Sequence, residues 1–186
     1  GLTLGTDGLI QGPPTDTGNV ICTVKVTDNV GDRDQREFTF RLNPGIGFVT
    51  NSLPQWTIGH AYEQTIEAEG GTGPLTFWDA TSGLTGSGLT LSSEGTLSGI
   101  PVLSGSFELT VAVTDEGGDS TQQVFDLILN DVVSIPDQML PYLHPAQEYT
   151  CSLVVTGGTP PLLIEEVDSV LQDHGLIMSN AGVVSG

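Results

Sequence analysis

Apolar and polar residues alternate in short runs throughout the chain, and no stretch sustains the 3.6-residue period of an amphipathic helix, so every element is expected to be β. Phe107, Leu109, Val111 and Val113 point one way and Glu108, Thr110 and Ala112 the other, which describes a strand with one buried face. Tyr62, Gln64, Ile66 and Ala68 alternate with Glu63, Thr65, Glu67 and Glu69 as a single predicted strand, followed by the loop Gly70-Gly71-Thr72-Gly73-Pro74 and a strand at Leu75-Thr76-Phe77. Short strands around Leu89-Thr90-Leu91 and Thr96-Leu97-Ser98 are joined at Ser93-Glu94-Gly95, where glycine supplies the positive φ of a tight turn. A last hairpin turns at Asp115-Glu116-Gly117-Gly118-Asp119 into Val124–Leu129. With an opening strand near Gly47–Thr50, this gives about seven strands in fewer than a hundred residues, the spacing of a Greek-key sandwich.

The same arrangement recurs every 87 residues without a gap: Gly1, Gly88 and Gly175 each open a twelve-residue segment that ends at Gly12, Gly99 and Gly186 (88 − 1 = 175 − 88 = 87). Pro14, Gly18, Thr27, Asp28, Gly31, Asp32, Phe38, Leu42 and Asn43 fall on Pro101, Gly105, Thr114, Asp115, Gly118, Asp119, Phe125, Leu129 and Asn130. Leu53, Pro54, Tyr62, Gly70, Gly71, Thr72, Pro74 and Leu75 fall on Leu140, Pro141, Tyr149, Gly157, Gly158, Thr159, Pro161 and Leu162. The expected organisation is a C-terminal half-repeat at 1–43, a complete repeat at 44–130 and the N-terminal part of a third at 131–186. Half-repeats cannot bury a core alone, so either the natural polypeptide continues at both ends or neighbouring chains complete them. A chain that starts inside a repeat could not display a signal peptide. Serial units of this kind serve as spacers, adhesins or walls.

Charge narrows the range of partners. All four basic residues, Lys25, Arg33, Arg36 and Arg41, lie in the first half-repeat, and the formal net charge is −19. Phosphate recognition needs clustered cations, so nucleic acid is excluded as a partner. Such a charge keeps an extended protein soluble and attracts divalent cations. The three arginines are interleaved with Asp32, Asp34 and Glu37, which favours local pairing over a binding patch. One lysine in the chain, and none in the complete repeat, argues against Lys–Asn isopeptide crosslinking.

The order LPxWxxGxAYEQTIEAEGGTGPLTF, GLTLSSEGTLSGIP, SGSFELTVAVTDEGGDS and a final alternating strand resembles the immunoglobulin-like repeats of bacterial surface proteins, relatives of dystroglycan-type cadherin-like domains. The resemblance covers 44–130 and both flanking halves. It implies an all-β chain of tandem immunoglobulin/cadherin-like Greek-key sandwiches in an elongated array, displayed outside the cell and used for adhesion or as a stalk. A fold alone assigns no function, because many unrelated proteins share the sandwich.

Few residues suggest chemistry. Asp16-Thr17-Gly18 spells the aspartic-protease triplet, but its repeat counterpart is the turn Leu103-Ser104-Gly105, and His60, His144 and His174 share no frame position, so no enzyme is expected. Calcium is the candidate cofactor. Asp28 with Asp32, and Asp115 with Asp119, flank equivalent hairpin turns with hard oxygen ligands, although an Asp opening a β-turn also caps backbone amides. Cadherin-type linkers carry several Asp and Asn between domains, whereas Asn43-Pro44-Gly45 and Asn130-Asp131-Val132 are short. Trp78 should face away from the core if Leu75 and Phe77 face inward, and its counterpart is Glu165.

The cysteines sit at matching places. Cys22 falls on Leu109 and Cys151 on Gln64, each on the inward phase of its strand, and immunoglobulin-type sandwiches bridge these two strands across the core. The resemblance therefore makes Cys22 and Cys151 disulfide candidates, with partners outside this chain or in another copy, and two buried free thiols as the alternative. The expected function is a non-enzymatic stalk, adhesin or filament segment of an extracellular repeat protein, with neighbouring repeats and other copies as partners and no membrane insertion in this segment. The alternative is an accessory carbohydrate- or protein-binding module of a larger cell-surface enzyme.

Overall fold

In the computed structural model, which describes residues 1–144 and 146–186, the elements follow the 87-residue frame. The first segment holds β1 (Thr3–Leu4), β2 (Ile10–Gln11), β3 (Gly18–Thr27) and β4 (Arg33–Leu42). The central segment holds β5 (Gly47–Phe48), β6 (Trp56–Thr57), β7 (Tyr62–Thr65), β8 (Ala68–Glu69), β9 (Thr76–Asp79), β10 (Leu89–Leu91), β11 (Thr96–Gly99), β12 (Gly105–Thr114) and β13 (Ser120–Asn130). The last holds β14 (Thr150–Ser152), α1 (Val170–Asp173), β15 (Ile177–Met178) and β16 (Val183–Ser185).

The central segment forms a sandwich from two sheets, β10-β11-β7 and β6-β13-β12-β9, with the small pair β5-β8 beside them. Side chains of both sheets meet in one buried cluster that includes Tyr62, Ile66, Phe77, Leu89, Leu97, Leu109, Val111, Phe125, Leu127 and Leu129. Phe48 packs edge-on against Phe125 at 5.8 Å between ring centroids. The alternation read at Phe107–Val113 is a ten-residue strand paired along its whole length with β13, from Gly105↔Leu129 to Thr114↔Ser120.

Three local features depart from the expected elements. The strand predicted over Tyr62–Ala68 is two strands: β7 pairs with β11, β8 pairs with β5, and the chain changes sheets at Ile66 and Glu67. There the Ile66 amide donates to the Gly95 carbonyl at 2.8 Å, and the Glu67 amide to Thr50 Oγ1 at 2.9 Å. Strand β6, which no alternation announced, runs parallel to the end of β13 through Leu129↔Trp56 and Asn130↔Thr57. The four-residue turn α1 is helical where only β was expected. It occupies the place of the loop that carries buried Leu84, and the two loops share an anchor: the Leu84 amide donates to Asp79 Oδ2 at 3.1 Å, and the Leu171 amide, 87 positions on, donates to Glu166 Oε1 at 2.6 Å.

Candidate functional site

Two contacts recur at both junctions. Asn43 Nδ2 donates to Thr72 Oγ1 at 3.1 Å, and one repeat later Asn130 Nδ2 donates to Thr159 Oγ1 at 3.3 Å. The Gly71 amide donates to the Pro44 carbonyl and the Gly158 amide to the Asp131 carbonyl, both at 2.8 Å. Thus the last residue of one repeat holds the Gly-Gly-Thr loop of the next, while that loop closes on its own linker. The second junction adds a Thr57–Thr159 hydroxyl contact at 2.8 Å and a bond from Asn130 Nδ2 to Gln55 Oε1 at 3.2 Å. The glycines are required by close approach. Gly70 and Gly157 have φ of +88° and +68°, and a Cβ on either would strike the carbonyl of Gly45 or Val132. Sequence reading passed over this clasp, although Asn43/Asn130 and Thr72/Thr159 both stand in the repeat frame.

The aspartates are hydrogen-bond acceptors on the hairpin turns, and only Asp115 is seen to bond a junction loop. Asp28 Oδ1 accepts from the Asp32 amide at 2.8 Å and the Val30 amide at 3.0 Å. Asp115 Oδ1 accepts from the Asp119 amide at 2.9 Å, while its Oδ2 accepts from the Thr72 amide at 2.7 Å and so ties the hairpin turn to the junction loop. The Thr72 bond is the main reason that the Asp115 carboxyl is held below its ordinary value, with the amides of its own turn adding to the effect. Asp119 Oδ1 accepts from the Ser120 amide at 3.0 Å. Among the described residues no group of three or more His, Cys, Asp or Glu side chains is arranged to hold a metal.

The remaining candidates are dispersed. Asp16 accepts from the neighbouring Thr17 amide on an exposed turn. His60 lines a groove of about 630 Å³ with Trp56, and His144 and His174 line a second with Tyr149. Trp78 is 42 % exposed and Phe77 only 7 %, the phase expected of β9. Burial pushes the Tyr62 phenol up to about 12. Cys22 and Cys151 are free, half-buried thiols, and the Tyr149 phenol is raised by desolvation and then by the adjacent Cys151.

Both grooves are lined by residues whose repeat counterparts belong to the central core. In the first, Val133, Ile135, Val155, Leu162 and Ile164 stand 87 residues after Ile46, Phe48, Ala68, Leu75 and Phe77, all part of the central cluster or packed against it. In the second, Tyr149, Leu171 and Leu176 correspond to the cluster residues Tyr62, Leu84 and Leu89. The counterparts of β12 and β13 in the first segment form the two-stranded sheet β3-β4. Val26 and Phe38 are 65 % and 46 % exposed, whereas their counterparts Val113 and Phe125 are 0 % and 1 %.

Residues 46–130 match the model of the family described as "Putative Ig domain". No curated protein matches the chain. Among solved structures, Sidekick-1 immunoglobulin domains 1-5 align at 16 % identity and a TM-score of 0.39 over 98 % of this chain and 42 % of that one. The titin I-band fragment I67-I69 aligns at 12 % and 0.42 over 100 % and 70 %, and Drosophila N-cadherin EC1-4 at 11 % and 0.40 over 99 % and 55 %. The chain thus spans less than two thirds of the Sidekick-1 and N-cadherin fragments. Immunoglobulin-like domain families are typically non-catalytic. No helix among the described residues is long and apolar enough to cross a membrane. Residues 46–130 are thus similar to the Putative Ig family and form a β-sandwich, and the segments around them, β but for the short turn α1, follow the same 87-residue frame.

Proposed function

We infer that this chain is a non-enzymatic structural segment of an extracellular or cell-surface array, in which repeats bounded near Asn43 and Asn130 act in series as a stalk, adhesin or filament. The observation that carries this reading is the periodic junction. An Asn side chain at the end of one repeat bonds to the same threonine of the next at both boundaries, a device that serves the spacing of repeats and no chemistry. The high negative charge suits a solvated rod that resists aggregation. Each repeat should advance the axis by roughly 35–45 Å, from a strand rise of about 3.4 Å per residue plus loops. Small-angle scattering from the chain tests this: an elongated particle is expected, and a compact globule would overturn the reading.

The alternative, an accessory binding module, draws on Trp78, exposed on the outer face of β9. Quenching of Trp78 fluorescence by an oligosaccharide, lost in Trp78→Ala, would favour it over the stalk.

A further inference from the structure

We propose that copies of this chain associate side by side through the outward faces of their sheets, the basic face of β3–β4 in one copy docking on the acidic face of β12–β13 in another. The contact is one between chains, and it stands whether or not the array serves as a stalk. It uses no inward-facing residue of either hairpin.

The acidic face belongs to the complete repeat. The β12–β13 ladder sets Glu108 directly opposite Asp126, and both are exposed. Like charges directly across strands destabilise a pairing, and residues 44–130 hold no Lys or Arg to offset them. Nor does the fold require the pair, because the same frame positions in the first segment are Ile21 and Thr39. On the same face Val124 and Ile128 lie to either side of Asp126 along β13, and Trp78 stands across from Ala112 on β9. These three are 54 %, 45 % and 42 % exposed. An acidic centre within an apolar border suits a partner that brings cations and aliphatic side chains together.

The β3–β4 hairpin supplies both on the equivalent face. Its register, with Thr27↔Arg33, Lys25↔Gln35 and Asn19↔Arg41, gives Arg33, Lys25 and Arg41 the outward phase of Ser120, Ala112 and Ile128. Ile21 lies among them, and Glu37 is the one carboxylate of that phase. The ten outward positions of β3–β4 therefore sum to +2 (three cations less one carboxylate), and the same ten frame positions of β12–β13 to −2 (two carboxylates). This face looks to solvent in the finished sandwich, as Glu108, Val124, Asp126 and Ile128 do, so it is a surface of the complete fold. Trp78 adds a ring over which a lysine or guanidinium cation is attracted. At long range a chain of net charge −19 repels its own copies. Near about 0.1 M salt, however, the screening length of about 10 Å hides distant carboxylates and leaves facing charges to attract. Because the two faces differ, the contact is heterologous.

Sedimentation of the full 186-residue chain should show association that peaks near about 0.1 M salt and is lost near about 1 M, where the screening length is about 3 Å. Glu108→Lys with Asp126→Lys makes both faces basic, and Lys25→Glu with Arg41→Glu makes both acidic. Each double variant alone should associate about thirtyfold more weakly or worse, from exposed ion pairs lost and repulsion gained, while the thermal transition of residues 44–130 stays in place. An equimolar mixture of the two should recover the association of the parent chain, because every basic face again meets an acidic one. A chain monomeric at every salt concentration, association that survives about 1 M salt or either charge reversal, or a mixture no better than its components would overturn the proposal. So would a monomeric parent chain that binds an arginine-rich peptide while the Glu108→Lys, Asp126→Lys variant does not, since the acidic face would then take a foreign basic partner and not a second copy.

Discussion

At the scale of single residues, Asp115 does more than its copy Asp28. Both cap the turn they open, which the Asp-x-x-Gly-Asp spacing made legible, because such caps are local and bond backbone amides a few residues on. The bond from Thr72 to Asp115 spans 43 positions and could not be read, since nothing in a local pattern says which loop folds onto a turn. Because the folded-state value of Asp115 is depressed, its contribution to stability is complete above the ordinary aspartate value of 3.8. It shrinks as the pH falls below that value and is gone once the folded-state value has been passed. Asp115→Asn should therefore lower the Tm at neutral pH and flatten the acid limb of a Tm-against-pH profile, with the difference from the parent vanishing at the acid end. Calcium ligation at Asp28, Asp32, Asp115 and Asp119 would compete with the same caps. A rise in Tm with calcium over sodium at equal ionic strength, abolished by Asp115→Asn, would assign the Asp115–Asp119 turn as a ligand site, and the same loss in Asp28→Asn would assign the Asp28–Asp32 turn.

Among the elements, the long hairpin β12–β13 was legible because ten residues of alternation leave one register that buries Leu109, Val111, Phe125 and Leu127 together. The break between β7 and β8 was not, since Ile66 keeps the inward phase while its backbone leaves one sheet for the other, and a period of two is blind to a change of partner. The short β6 carries too few residues to show any period, and its pairing with β13 is long-range. The Gly-Gly-Thr loop was legible as a loop but not as a junction, because its closeness to the linker carbonyls is a property of the assembled backbone. Gly70→Ala tests that closeness: the new Cβ meets the Gly45 carbonyl at a φ of +88°. The complete repeat should lose more than about 1 kcal/mol, seen as a Tm drop of roughly 4–8 °C or more for a domain of this size. Gly118→Ala, at a comparable φ of +84° but with nothing within 4 Å of its Cβ, should cost less and serves as the control.

For the whole molecule, the clasp at Asn43 and Asn130 couples repeats through side chains while leaving their cores independent. Asn130→Ala removes the bonds to Thr159 and Gln55, and should change the stability of the central sandwich by no more than about 1 kcal/mol. Yet spin labels on the two native cysteines, which lie on opposite sides of both junctions, should report a broader distance distribution in this variant; an unchanged width would show that the clasp does not set the angle between repeats. The parallel pairing of β6 with β13 bears on something else, the response to tension. A pull applied at the two ends of residues 44–130 draws these neighbouring strands in opposite directions along their length, so the bonds around Leu129↔Trp56 and Asn130↔Thr57, with the Ile58 amide on the Asn130 carbonyl at 3.0 Å, are loaded in shear and must break together rather than one at a time. Single-molecule stretching should accordingly show the central repeat rupturing in one step, with a length gain of roughly 250–300 Å at about 3.4 Å per extended residue. The strand too short to be read from its sequence would then be the one that decides how much load the repeat can bear.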